Sequence, residues 1–234
     1  MKKSKNRRAI INRRALSGEV AALTQQISDP LERRVALVSL LKESLRAGRE
    51  VIQGDFQAGA KGPEVAAFNS YLCDQIITVM FEYVDGSIFP AVNPTASDRL
   101  SLMAVGGYGR GEMAPFSDLD LSFLHPWKLT PRAEQVIEYL LYLLWDLGLT
   151  IGPATRSLDE SIARAKKDVT ICTSLLEARL VCGDQPLFMD LQQRFNNEVI
   201  AGGGAGYLTA KLAERKARHA QMGDSRYVLE PNVK

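Results

Sequence analysis

Val105-Gly106-Gly107-Tyr108-Gly109-Arg110-Gly111, followed at Ser117-Asp118-Leu119-Asp120 by paired carboxylates, is the stretch that decides the reading. Residues 100–105 before it are short and apolar, a strand candidate. Glycine lets backbone N–H groups approach an anion with no Cβ in the way. Residues 119–124 alternate, with Leu119, Leu121 and Phe123 on one face and Asp118, Asp120 and Ser122 on the other. That period of two predicts a half-buried strand. Residues two apart on a strand project to one face, so both carboxylates are expected to reach one hard cation or a pair of them.

Working outward, Leu31, Val35, Val38, Leu41 and Leu45 predict an amphipathic helix over 30–49. Val65, Phe68, Leu72, Ile76 and Val79 predict a second over 63–83, opened by Pro63. Residues 86–97 read as a loop. Past the carboxylates, Ile137, Leu140, Leu141 and Leu144 mark a helix, and residues 149–156 a strand interrupted by Gly152 and Pro153. Helices are expected over 159–166, 169–181, 186–199 and 207–222, the last one basic, with a strand at 227–230. The fold class is therefore α+β, a small mixed sheet flanked by helices with an N-terminal helical extension. The expected divisions are a basic disordered arm at 1–18, a helical region at 19–97, a core at 98–200 and a linker with a basic helix at 201–234.

Bulk properties set limits. The 234 residues are 46% apolar and 24% charged with a net charge of +2, which suits a globular protein and makes nucleic acid an improbable partner. Seven of the first sixteen residues are Lys or Arg, and no acid precedes Glu19; such a block reads first as a solvated arm. No run approaches the ~18 apolar residues of a membrane span. Cys73, Cys172 and Cys182 have no paired spacing and read as thiols of a reducing cytoplasm. Only His125 and His219 are present, too few for a histidine metal cluster. His125, before Pro126, reads as a turn residue, and Tyr142 and Trp145 as core.

The chemistry follows from the central stretch. A triphosphate resists attack at its α-phosphorus until its charge is neutralised, and Mg2+ (or Mn2+) on Asp118 and Asp120 supplies that. Arg110 has the planar fork to pair with phosphate, and Ser117 a hydroxyl to donate to it. Gly106 and Gly107 shape the nucleotide loop. No Gly-Lys-Ser/Thr is present, and a dinucleotide fingerprint from Gly107 fails at Glu112.

Residues 105–124 (VGGYGRGEMAPFSDLDLSFL) resemble the nucleotidyltransferase motif of the DNA polymerase beta superfamily, and more closely the bacterial PII uridylyltransferase/uridylyl-removing enzymes. Residues 144–158 (LWDLGLTIGPATRSL), 173–184 (TSLLEARLVCGD) and 227–234 (YVLEPNVK) are similar to the same family. The resemblance covers residues 30–234, the N-terminal portion of such enzymes. It implies Mg2+-dependent transfer of UMP from UTP to a tyrosine of the PII signal protein in nitrogen regulation, with Asp118 and Asp120 as metal ligands. The HD hydrolase and ACT sensor regions of the family are absent from these 234 residues, so a truncated chain without uridylyl removal or glutamine sensing is expected. The superfamily's third carboxylate has no counterpart at 149–156, and Pro153 stands where the family has a histidine. Asp159, Glu177 and Glu230 are substitutes; for Glu177 a pairing with Arg179 or Arg164 is the plainer expectation. Alternative readings are a catalytically silent nucleotide-binding chain and a related transferase using ATP.

Overall fold

The computed structural model describes residues 7–201 and 204–221. Four strands form one sheet in the order β3-β2-β1-β4, from β1 (Ser101–Ala104), β2 (Leu119–His125), β3 (Ile151–Ser157) and β4 (Arg179–Gly183). β1 is antiparallel to both β2 and β4, whereas β2 and β3 run parallel. The sheet is mixed, as expected. β4 is a correction, because residues 169–181 were expected as one helix. That helix, α8, ends at Leu176 (Val169–Leu176) and the chain turns into a strand.

The parallel β2/β3 pair needs a crossover, and α6 (Pro131–Asp146) supplies it. Thr130 caps α6 by accepting from the Ala133 N–H, with Pro131 at the first turn. Pro153 is tolerated because β3 is an edge strand, where a missing N–H breaks no ladder bond.

Each sheet face has its own core. Leu119, Leu121 and Phe123 pack with Leu102 and Ala104 against α4 (Gly62–Tyr83) and α6. Met103 and Leu124 pack on the other face with α7 (Leu158–Ala165), α8 and α9 (Gln185–Phe195). β2 is therefore covered on both sides rather than half-buried, with Ser122 and His125 buried as well. Asp120 alone in the strand is exposed. The face covered at Leu124 is open at Asp120, and that opening positions the site.

The N-terminal helices run longer than expected. α3 (Pro30–Gln57) continues past residue 49, and its buried stripe is Leu37, Leu41, Leu45, Gly48 and Ile52. Leu31 and Val35, expected inside, are exposed. Residues 7–18, expected as a disordered arm, form α1 (Arg7–Ile10) and the start of α2 (Arg13–Gln26), with Ile10, Ile11, Leu16 and Val20 buried. Arg7, Arg8, Arg13 and Arg14 are exposed, as an amphipathic face allows. Tyr142 and Trp145 stack edge-to-face on the outside of α6 instead of joining the core. α10 (Gly204–Gln221) matches the expected basic helix; the strand at 227–230, with Glu230, lies outside the described residues. The three cysteines are buried and free. No helix among the described residues is long and apolar enough to cross a membrane.

His125 ends β2 in the interior rather than in a turn. Its Nδ1 has no hydrogen-bond partner. Burial holds the imidazole pKa below the usual value, and the Glu160 carboxylate only partly opposes this. The unfolded chain takes up a proton near pH ~6.5 while the folded one resists it. Stability should therefore fall as pH drops from about 6.5 toward the depressed folded pKa, and level off below it. Urea denaturation at pH 7.5 and 5.5 checks this. Wild type should lose more stability between the two than His125→Leu, and equal losses would refute it.

Candidate active site

The glycine stretch is a single helical turn, α5 (Gly106–Gly109), closed by Gly109 N–H to Val105 O at 2.9 Å and Arg110 N–H to Gly106 O at 3.1 Å. As the first amides of a turn, those of Gly106, Gly107 and Tyr108 have no carbonyl one turn earlier. The turn is tied to β2 by Val105 N–H donating to Asp120 O at 3.0 Å. Gly106 adopts φ +59°, the left-handed region, and a Cβ there would lie 2.9 Å from Asp120 Oδ2. On the other flank of β2, a Cβ at Gly152 would lie 3.0 Å from Asp120 Oδ1. Gly152 pairs with Asp120 in the β2/β3 register. One carboxylate thus sits between two backbone positions that lack side chains.

The Asp120 residue is exposed, yet its carboxyl oxygens press against these two glycines. Partial loss of water, and then the Asp118 charge, hold its pKa above the usual carboxylate range. Asp118 precedes the strand, is exposed, and stands two residues from Asp120, as the sequence spacing requires. Ser117, directly before Asp118, is half-buried and lines a cavity walled by α3 and α4. Arg110 does not stand free: its Nε donates to Glu112 at 2.8 Å and its Nη1 pairs with Glu177 at 2.8 Å. Glu177 therefore pairs with Arg110, not with Arg179 or Arg164. Asp159 is held by Arg194 at 2.6 Å. No group of three or more His, Cys, Asp or Glu side chains suited to a metal occurs among the described residues. Two carboxylates do suit Mg2+, which takes one or two and completes its shell with waters and substrate phosphates.

A clamp that the sequence spacing does not reveal holds the turn. Tyr108, amid the glycines, is buried, and its hydroxyl donates to Asp74 Oδ1 of α4 at 2.7 Å. Burial, and then the Asp74 charge, raise the phenol pKa and keep it a donor. Arg179 of β4 grips Asp74 at 2.8 and 3.1 Å. It also donates to the Tyr108 carbonyl at 3.2 Å and the Gly109 carbonyl at 3.3 Å. Gly109 fits because the Glu177 carbonyl comes within 2.3 Å of where a Cβ would stand. Downstream, Ser70 accepts from Met113 N–H at 3.2 Å, fixing the link to Asp118 on α4. An aromatic residue inside a glycine run was the one available clue, since a bulky ring there needs a buried seat.

No family model matches the chain. Over 229 residues, 98% of its length, it is 47% identical to the bifunctional uridylyltransferase/uridylyl-removing enzyme of Azospirillum brasilense. It is 47% identical over 228 residues to the enzyme of that name from Rhodospirillum rubrum, and 44% identical over 228 residues to that from Erythrobacter litoralis. The chain spans about a quarter of the length of these relatives. By sequence it corresponds to the N-terminal portion of the bifunctional uridylyltransferase/uridylyl-removing enzymes.

Proposed function

We propose that this chain is a Mg2+-dependent nucleotidyltransferase that moves UMP from UTP to a tyrosine hydroxyl of the PII signal protein. The observation that carries the reading is the Asp120 carboxylate set between the glycine turn and Gly152, with Asp118 two residues away. Its ionised form is held at a cost that a bound cation repays. The two acids are the metal ligands, and Mg2+ (or Mn2+) bound there neutralises charge around the α-phosphorus. The amides of Gly106 and Gly107 receive the outer phosphates. Arg110 leaves Glu112 and Glu177 to pair with a phosphate oxygen, its charge compensated until then. Ser117 is a hydroxyl donor at the same place.

In the transfer, the tyrosine oxygen bonds to the α-phosphorus as the bridging P–O bond to the β-phosphate breaks. Pyrophosphate leaves with the electron pair, and the hydroxyl proton passes to solvent. The uridylyltransferase activity for which the relatives are named and the exposed Asp120 at the start of β2 support this reading. The reading places the enzyme in the cytoplasm. Purified PII with radiolabelled UTP and Mg2+ tests it: label should appear with wild type and not with Asp118→Asn/Asp120→Asn. Equal label from both would remove it.

One observation favours a second reading, nucleotide binding without turnover. Opposite Asp120, β3 offers Gly152 and no acid, so the cation is held by two carboxylates. Calorimetry showing UTP binding in a chain that never labels PII supports this second reading. Competition among the four nucleotides decides whether a transferase using ATP fits better.

A further inference from the structure

Arg110 is gripped through two of its nitrogens. Nε donates to Glu112 at 2.8 Å, and Nη1 pairs with Glu177 at 2.8 Å. Nη2 lies 3.8 Å from where a Cβ of Gly107 would stand. The guanidinium is therefore beside the glycine turn, next to the Gly106 position that meets Asp120. Two carboxylates hold this cation at the place where the proposed transfer needs it for phosphate oxygens.

Glu177 is the more firmly placed of the two acids. Its side chain is 23% exposed, against 62% for Glu112. Its N–H donates to the Thr173 carbonyl at 3.0 Å, and its own carbonyl comes within 2.3 Å of the Cβ position of Gly109. It also caps the C-terminus of α8, whose last turn carries no basic residue. That end of a helix is the negative pole of its dipole and disfavours an acid. Local helix chemistry gives no reason for a glutamate at 177, whereas the pair with Arg110 does. Breaking the pair leaves the Glu177 charge beside the last carbonyls of α8. Asp118 and Asp120 add two more negative charges at the Gly106 end of the turn.

We propose that Glu177, assisted by Glu112, is a charge latch on Arg110 that competes with the phosphates of the nucleotide. A phosphate oxygen replaces the Glu177 carboxylate on Nη1 as the nucleotide enters, and the carboxylate returns to Nη1 as pyrophosphate leaves. Uncovering Glu177 weakens binding, and covering it again favours release of the polyanionic product. The inference rests on the transfer proposed above and adds the residue that sets how tightly the phosphates are held. The competing outcome has the opposite sign: Glu177 orients Arg110 for phosphate, so that its loss weakens binding.

Glu177→Gln keeps the shape and an acceptor oxygen and removes the charge. In calorimetry with Mg2+, its Kd for UTP and for pyrophosphate should both fall at least about threefold, the scale of one part-exposed ion pair. Glu112→Gln, at the more exposed end, should lower them less. The gain must pass through Arg110, so Arg110→Met/Glu177→Gln should bind pyrophosphate within about twofold of Arg110→Met. Unchanged or weaker binding by Glu177→Gln overturns the latch, and so does a gain that persists without Arg110. If Glu177→Gln melts below the assay temperature, Glu112→Gln decides: a lower pyrophosphate Kd supports the latch and an unchanged one overturns it. Labelling of PII separates this inference from the transfer. Tighter UTP binding by Glu177→Gln with no label from wild type keeps the latch and removes the transfer. Label from wild type with unchanged Kd values keeps the transfer and removes the latch.

Discussion

Asp120→Asn should cut UMP transfer at least about 100-fold and, without divalent metal, raise the melting temperature at pH 7. The activity loss follows because even residues that only support a metal ligand cost about 10–100-fold when removed. The stability gain follows from linkage. The Asp120 pKa is raised in the fold by partial loss of water and by Asp118. This group favours folding below its unfolded pKa of about 3.9, and that contribution is lost as pH rises through the folded value. At pH 7 the ionised group burdens the fold, and asparagine lifts the burden while keeping the shape. Mg2+ with UTP should then stabilise wild type and leave Asp120→Asn unmoved. Parallel melts with and without Mg2+ and UTP check both halves. A metal-free variant less stable than wild type would show that Asp120 serves structure first.

Arg179→Met should be the most damaging change outside the carboxylates. It removes two bonds to Asp74 and one each to the Tyr108 and Gly109 carbonyls. The guanidinium also lies 5.5 Å from the centre of the Tyr108 ring. Asp74 would be left with only the tyrosine hydroxyl beside it, in a half-buried place. Leaving such a group underpaired costs about 1–3 kcal/mol. The turn would then be free to shift against Asp120, so the KM for UTP should rise about tenfold or more. Urea denaturation and steady-state kinetics measure the two effects. Arg179→Lys should restore little, because a point charge cannot reproduce the bidentate grip. A stable Arg179→Met protein with normal UTP kinetics would show that the turn holds itself.

The strand at Leu119, the glycine turn and the spacing of Asp118 and Asp120 were legible because each is local, set by residues within two or three positions. The seat of Tyr108 was not, since Asp74 and Arg179 stand 105 positions apart and meet only through the sheet. β4 was hidden because residues 177–181 (EARLV) carry apolar spacing compatible with a continuing helix and no glycine or proline to stop it. The N-terminal helices were obscured by their own charge, which drew attention from Ile10, Leu16 and Val20. Tyr142 and Trp145 misled in the opposite way, as aromatic size suggested a core position that α6 does not give them. The pairing of Arg110 with Glu177 was not legible, because Glu177 follows the end of α8 and reaches the glycine turn only in the fold.

The central claim is that Asp118 and Asp120 hold a cation that binds the triphosphate to the glycine turn. Calorimetric titration of UTP into wild type and Asp118→Asn/Asp120→Asn, each with Mg2+ and with EDTA, tests it most directly. The account predicts binding to wild type that Mg2+ strengthens at least about tenfold, and no Mg2+ effect in the double variant. Equal Mg2+-dependent affinity in both proteins would contradict it.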